Sequence, residues 1–551
     1  MFVLSVPFFF SGGNDDNNET PLGAGDYNTN DVDKLKDFAN QGSNLSELGW
    51  DPVDPESWDY VEWVDVSGEM RLKKFDVWNK GLTLTGALDL SDCTALEYLD
   101  FDNNGSGHLS LTSLDVSGCT SLETLQCYGN EITTLTLTGC TALEYLYCLN
   151  NQLTTLDVSE NTALKTLNCN YNQLLTLDVS ENTALGGLSC NGNELTTLDV
   201  SKNTALAWLY CNYNQLTTFD VSKNTALEDL ECDHNRLTTL DVSKNTALED
   251  LECDHNRLTT LDVSKNTALA WLDCCYNRLR TLDVSKNTEL RYLYCNDNLL
   301  TTLDVSKNTE LEYLYCNDNL LTTLDVSKNT ALTWLDCHNN LLTTLDVSKN
   351  TALVKSNCNS NQLTTLDVST LEDLEYLYCQ GNLLTSLVLA SSANYDIVNV
   401  SYNLLKSDKS TITGKTPLGS WLFFDPQRDP YMSEIKIDRT SDEDAVITFM
   451  SGKAGTYCYV LDGMRSGDIV MINGLNTITL DDLTPGTHTI YVEGFSNESP
   501  VMLDTFVKTI PAFGSGGGGG DDGNGLLLII VAIVAIAAVM GLVGYFVFMK
   551  K

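Results

Sequence analysis

From about residue 83 to residue 406 the apolar positions keep one schedule that repeats every 21 residues. Residues 311–331 read LEYLYCNDNLLTTLDVSKNTA, with Leu311, Leu314, Cys316, Leu321, Leu324 and Val326 apolar and Asn319 and Asn329 at fixed places among them. Its cysteine belongs to a column of thirteen, spaced by 21 from Cys127 to Cys379, and an asparagine follows each by three positions, from Asn130 to Asn382. Residues 227–247 and 248–268 are identical, as tandem duplication leaves them. A strict period of this length predicts a solenoid, because a unit so short cannot bury its apolar face alone and must stack. Alternation around Leu314-Tyr315-Cys316 predicts a short parallel strand with Tyr315 on the outer face. The half holding Leu321, Leu324 and Val326 is either a second strand or an extended arc. The Leu, Cys and Val columns then form a dry core, and the asparagines turn the chain, their amides satisfying backbone groups freed by the bend.

The pattern changes at both ends. Residues 1–13 open with MFVLSVPFFF, an apolar leader that reads as the tail of a signal peptide although no Lys or Arg precedes it. Residues 14–32 are rich in Asn, Asp and Gly and read as a disordered spacer. Residues 33–40 predict a short helix with Leu35 and Phe38 on one face, the start of a cap over 33–82. A cap is required because the first coil would otherwise expose its floor, so Trp50, Trp58 and Trp63 are expected to pack rather than touch a ligand. After the repeats, 407–432 read as a connector and 433–513 as a β-sandwich, from short alternating runs such as AVITFM and HTIYVEGF. Residues 514–525 are a flexible glycine-rich linker. Residues 526–549 carry no charge, and as a helix of about 36 Å they suffice to cross a hydrocarbon core of about 30 Å. The tail, Lys550 and Lys551, favours a cytoplasmic end and an extracellular remainder.

The two halves of the unit, LxxLxCxxNxL and LTTLDVSKN, carry the same logic, and together they resemble the nested 21-residue leucine-rich repeats of prokaryotic surface proteins, such as internalin-like adhesins. The Trp-rich stretch from Trp50 resembles the N-terminal cap of extracellular leucine-rich-repeat proteins. DLTPGTHTIYVEGFSN resembles the late strands of fibronectin-III or immunoglobulin-like domains. These resemblances imply a leucine-rich-repeat horseshoe of about 15 coils with parallel strands, a β-sandwich and one transmembrane helix. The implied role is a single-pass cell-surface protein that binds an extracellular protein or glycan; a structural envelope protein without a specific ligand is the alternative.

Charge narrows the partners. With 75 acidic and 32 basic residues the formal net charge is −43, which repels nucleic acid and anionic lipid. The acidic column Asp157, Asp178, Asp199 and onward to Asp367 puts like charges on adjacent coils, offset in part by lysines three positions later. Calcium bridging there is the alternative to a salt-bridged, solvated face; the glycine-rich nonapeptide of calcium-binding β-rolls is absent, and no metal site or cofactor is assigned.

The cysteines form a line, and a line cannot converge four thiolates on one metal or pair all its members. Phe101 precedes the column, after an insertion at Gly105–His108, and Val400 follows it, so cysteine here behaves as a small buried hydrophobe. Cys93, Cys119 and Cys140 occupy a second slot in adjacent coils and are the best candidates for a disulfide. The candidate ligand contacts are aromatic: Tyr145, Tyr147, Trp208, Tyr210, Tyr213, Trp271, Tyr292, Tyr294, Tyr313, Tyr315, Trp334, Tyr376 and Tyr378, with Tyr171 and Tyr276, all expected at exposed strand positions. The high strand propensity of Tyr and Trp accounts for them equally well. An acidic patch, Asp229, Glu231, His234, Asp250, Glu252 and His255, lies between them. None of the five histidines sits in a nucleophile or metal motif, so an enzyme is not expected.

Overall fold

The structure, a computed structural model, describes residues 26–103, 109–425 and 427, and beyond them the strands between Ser433 and Ile510. The leader, residues 14–25 of the spacer, the Gly105–His108 insertion, the glycine-rich linker, the apolar segment 526–549 and the two-lysine tail lie outside the described residues. Among the described residues no helix is long and apolar enough to cross a membrane. The chain forms two compact units, Met1–Arg278 and Leu279–Lys551.

The first unit opens with a cap that starts earlier than its sequence pattern implies. Strand Asp26–Tyr27 is followed by a helix over Thr29–Ala39, whose N-terminus is closed by the Asn28 side chain accepting from the Asp31 N–H. Leu35 and Phe38 are buried as expected. A second helix, Asn44–Leu48, and the antiparallel hairpin Val61–Val66 with Glu69–Asp76 complete the cap. Trp50 and Trp58 stack at 4.6 Å, and each indole N–H donates to a backbone carbonyl, so they are packing residues.

The end of this hairpin, Lys74–Asp76, pairs in parallel with Tyr98–Asp100 and hands the register to the repeats. Each coil of the first unit then adds one three-residue parallel strand in register, from Thr124–Gln126 to Trp271–Asp273. The other half of the coil forms strands only at the start, Thr85–Asp89, Ser110–Asp115 and Thr134–Thr136. Afterwards it runs as an extended arc with single bridges such as Asp157 to Asp178. The second unit repeats the arrangement from Tyr292–Tyr294 to Ile397–Asn399, and the arc becomes strand again at Thr365–Asp367 and Ser386–Val388. Solenoid pairing continues into the expected connector, because Leu422–Phe423 pairs with Val398–Asn399 and Ile412–Thr413 with Leu387–Val388. Part of 407–432 is therefore a closing coil. Beyond it, Ser433–Arg439, Ala445–Ser451 and Gly474–Leu480 form one antiparallel sheet; Gly455–Leu461, His488–Gly494 and shorter strands form another. The expected sandwich is represented by these strands alone, since their connecting loops lie outside the described residues.

The core columns are dry. Leu311, Leu314, Cys316, Leu321 and Val326 all have 0% exposure, and Phe101 and Val400 fill the cysteine column equally completely. Burial lifts thiols such as Cys148, Cys211, Cys253 and Cys337 well above the ordinary range, so they are inert packing atoms. Cys93, Cys119 and Cys140 are free thiols, contrary to the idea of a bond; Cys119 Sγ donates to the Leu90 carbonyl and Cys140 Sγ to that of Val116. Asn319 shows how the first asparagine column works. Its Nδ2 donates to the carbonyls of Cys295, Cys316 and Asn317, and its Oδ1 accepts from Leu300 N–H at 2.9 Å. The second column is simpler: Asn329 Nδ2 donates to the carbonyls of Val305 and Asn308.

Candidate functional site

In-register pairing places equal positions of successive coils side by side, so any side chain repeated in the sequence meets its own copy. In the second unit this builds an aromatic block. Tyr292 and Tyr313 stack at 5.1 Å, Tyr294 and Tyr315 lie 4.9 Å apart, and Trp334 is 5.6 Å from Tyr315. Lys355 Nζ sits 3.8 Å above the Trp334 ring, a cation–π contact at the edge of the block. One coil further, Tyr376 and Tyr378 flank Leu377, and the Tyr376 hydroxyl donates to Asp396 Oδ2 at 2.7 Å. These rings are half-buried because they lie against one another, yet each keeps part of its surface in solvent.

In the first unit Tyr145 and Tyr147 occupy one strand and Trp208 and Tyr210 another. Trp208 lies across Gly187 of the neighbouring strand so closely that a Cβ there would meet its ring at 1.9 Å. It also stacks on Tyr210 at 5.2 Å, and the Tyr210 hydroxyl donates to Asp229 Oδ2 at 2.6 Å. Trp271 closes the series beside Asp250.

Tyr213, Tyr171 and Tyr276 depart from the strand positions that the sequence pattern implies. They stand two positions after the cysteine, in a turn with φ of 53°, 50° and 49°. Left-handed backbone costs a side-chain-bearing residue about 1 kcal/mol, and the rings recover part of it by stacking. Tyr213, His234, His255 and Tyr276 form one continuous pile with centroid spacings of 4.1, 3.9 and 4.1 Å. A signal was present in the sequence: the same column holds Gly129, Gly192 and Gly381, residues at home in that conformation.

The acidic patch gathers as expected on the strands Asp229–Glu231 and Asp250–Glu252. Sequence reasoning missed Asp233 and Asp254, which follow the cysteines and turn toward the same surface. Burial first, and then the neighbouring carboxylates, push Glu231 up to about 7, Asp233 and Asp250 to about 8 and Glu252 to about 9. Two sets of ligand-type atoms converge within 4.8 Å, one from Glu231, Asp233 and Glu252 and the other from His234, Asp254 and His255.

The repeated Asp column of the other half-coil behaves differently. Asp199 Oδ1 accepts from the Ser201 N–H and Asp325 Oδ1 from the Ser327 N–H, both at 2.9 Å. These backbone bonds, helped by Lys202 and Lys328, hold both carboxyls below the usual range. The column is a set of turn caps, and among the described residues it supplies neither converging set.

Short parallel strands, an extended arc and an asparagine ladder define a leucine-rich-repeat solenoid. The chain is similar to the solved functional domain of InlJ from Listeria monocytogenes, described as including a cysteine ladder, at 30% identity over 79% of this chain and 91% of that one, with a TM-score of 0.56. It also shares its fold with the Leptospira interrogans leucine-rich-repeat protein LIC12759, at 23% identity over 61% of this chain and 92% of that one, with a TM-score of 0.50. No family model matches the chain, and no curated protein matches it either. The chain belongs to the internalin-like leucine-rich-repeat proteins.

Proposed function

We propose that this protein is a membrane-anchored cell-surface receptor or adhesin that captures an extracellular protein or glycan, without catalysis, on its aromatic strand face. The observation that carries this reading is the block of Tyr292, Tyr313, Trp334, Tyr294 and Tyr315, aligned on adjacent strands with ring surface left in solvent. Tyr and Trp supply large contact area at small entropic cost and dominate binding hot spots. Membership of the internalin-like family favours recognition over chemistry, though a fold alone does not name a ligand. The anchor is residues 526–549, which keep the solenoid outside the cell.

The test is a surface-protein and glycan screen against cells displaying the full-length chain. Changing Tyr292, Tyr294, Tyr313 and Tyr315 together to Ser is expected to weaken any saturable binding by at least about tenfold, a hot-spot effect. Unchanged affinity places the ligand on another face. The net charge of −43 favours a second reading, an acidic structural envelope protein; that reading predicts no saturable binding at all.

A further inference from the structure

We propose that Glu231, Asp233 and Glu252 form a divalent-cation site on the strand face of the first unit, with Ca²⁺ as its fitting occupant. The duplication of residues 227–247 as 248–268 creates the geometry. Parallel pairing sets Glu231 directly beside Glu252, and Asp233, two residues further along the same coil, brings a third carboxylate to the pair. One oxygen from each lies within 4.8 Å of the others. Two oxygens on opposite sides of a calcium ion, each bonded at about 2.4 Å, stand about 4.8 Å apart, so a single ion is able to touch all three.

A second observation points to a ligand. Asp233 is only 7% exposed, and its Oδ1 has no hydrogen-bond partner, while its Oδ2 receives the His234 Nδ1 at 3.1 Å. A carboxylate oxygen buried without a partner is costly, and a cation removes that cost. Asn212 Nδ2 holds Glu231 Oε2 at 2.7 Å, which orients this carboxylate and leaves its other oxygen for an ion. Among the described residues no lysine or arginine forms an ion pair with any of the three. Burial and the crowding of carboxylate oxygens disfavour uncompensated negative charge there, so the cluster gains from a positive one. Oxygen-only donors select a hard cation, and calcium tolerates the irregular geometry and the water ligands that must complete its shell. The adjoining His234, Asp254 and His255 offer nitrogen as well, and a softer metal would go there instead.

The experiment uses metal-stripped full-length protein in mild detergent, titrated with CaCl₂ at pH 7.5 and followed by displacement of Tb³⁺ luminescence. Wild type is expected to bind one more Ca²⁺ per chain than the E231Q/E252Q variant, and D233N to weaken that ion at least tenfold. H255A and D325N/D346N, the latter in the backbone-capping Asp column, are expected to bind like wild type. Equal stoichiometry and affinity in wild type and E231Q/E252Q overturn the proposal, as does loss of the ion in H255A alone. A readout free of variants is the unfolding temperature of the wild type: saturating Ca²⁺ is expected to raise it relative to chelator, and an unmoved midpoint also overturns the site.

Discussion

His338 shows how one residue in a repeated column acquires behaviour its neighbours lack. The equivalent position holds Asn317 one coil earlier and Asn359 one coil later, but His338 places a ring between two acids. Its Nε2 lies 3.2 Å from Asp318 on the preceding coil, and its Nδ1 contacts Asp336 on its own coil, where Asn357 also approaches. Burial by itself lowers the affinity of a histidine for its proton; here the two carboxylates outweigh burial and raise the value to about 9. An unfolded histidine titrates near about 6.5. The folded value is the higher one, so this group contributes stability that is complete below about pH 6.5 and is lost as pH rises through about 9. The contribution is at most about 3 kcal/mol. Urea unfolding is expected to show H338N losing most of its deficit against wild type between pH 6.5 and 9.5, with the His338 imidazole titrating near 9 by NMR. An imidazole midpoint near the ordinary value sinks the ion-pair account.

At the scale of the element, the cap depends on a pair that no local pattern announces. Asp31, in the first turn of the helix Thr29–Ala39, has 0% exposure. Arg71, on the hairpin strand Glu69–Asp76, donates to it from Nε at 2.8 Å and from an Nη at 3.0 Å, and the Leu72 N–H adds a third bond at 2.8 Å. Replacing Arg71 by Met leaves a buried carboxylate half-compensated and is expected to cost about 3–5 kcal/mol. The double change D31L/R71M is expected to recover much of that loss, because a well-packed apolar pair is nearly neutral against a buried ion pair. Hydrogen exchange across residues 29–39 measures it, and protection unchanged in R71M removes the pair from the account. The sequence pattern starts the helix four residues late because Asn28, Asn30 and Asp31 resemble a polar spacer until the partner forty residues away is known. The closing coil was read as a connector for a related reason: it lacks the cysteine and asparagine columns, and only backbone pairing to Val398–Asn399 reveals it. Within the repeats, by contrast, twelve of the fifteen aromatics expected at strand positions stand on strands, since a period repeated so often averages out local ambiguity. Tyr213, like Tyr171 and Tyr276, lies past the end of a three-residue strand, in a left-handed turn where strand alternation no longer sets which way a side chain points. Asp233, also past its strand's end, escapes the sequence pattern, and with it the convergence that makes the acidic patch more than a row of charges.

Across the whole molecule the energetic unit is the coil and its two neighbours, and that makes length a tunable quantity. Among the described residues, backbone bonds between coils join positions about one repeat apart, such as Glu249 N–H to the Glu228 carbonyl and Arg257 N–H to the Leu237 carbonyl. The asparagine amides reach no further, Asn256 bonding Cys232 of the preceding coil and Cys253 of its own. In such an array stability is close to a sum of nearest-neighbour terms, so removing one complete unit deletes one interface and rejoins two identical surfaces. Residues 227–247 and 248–268 are the same sequence, and excising 248–268 leaves Leu230 to face Leu272 as Leu251 does now. The shortened chain is therefore expected to fold with an unchanged far-UV spectrum per residue and an unfolding midpoint within a few degrees of the parent. Excising 248–257 instead shifts the Leu, Cys and Asn columns out of register and strands buried amides against side chains, a change expected to abolish cooperative unfolding. If both deletions unfold the protein alike, the coils are not interchangeable and the nearest-neighbour description fails; if only the second does, the 21-residue register is what holds the molecule together.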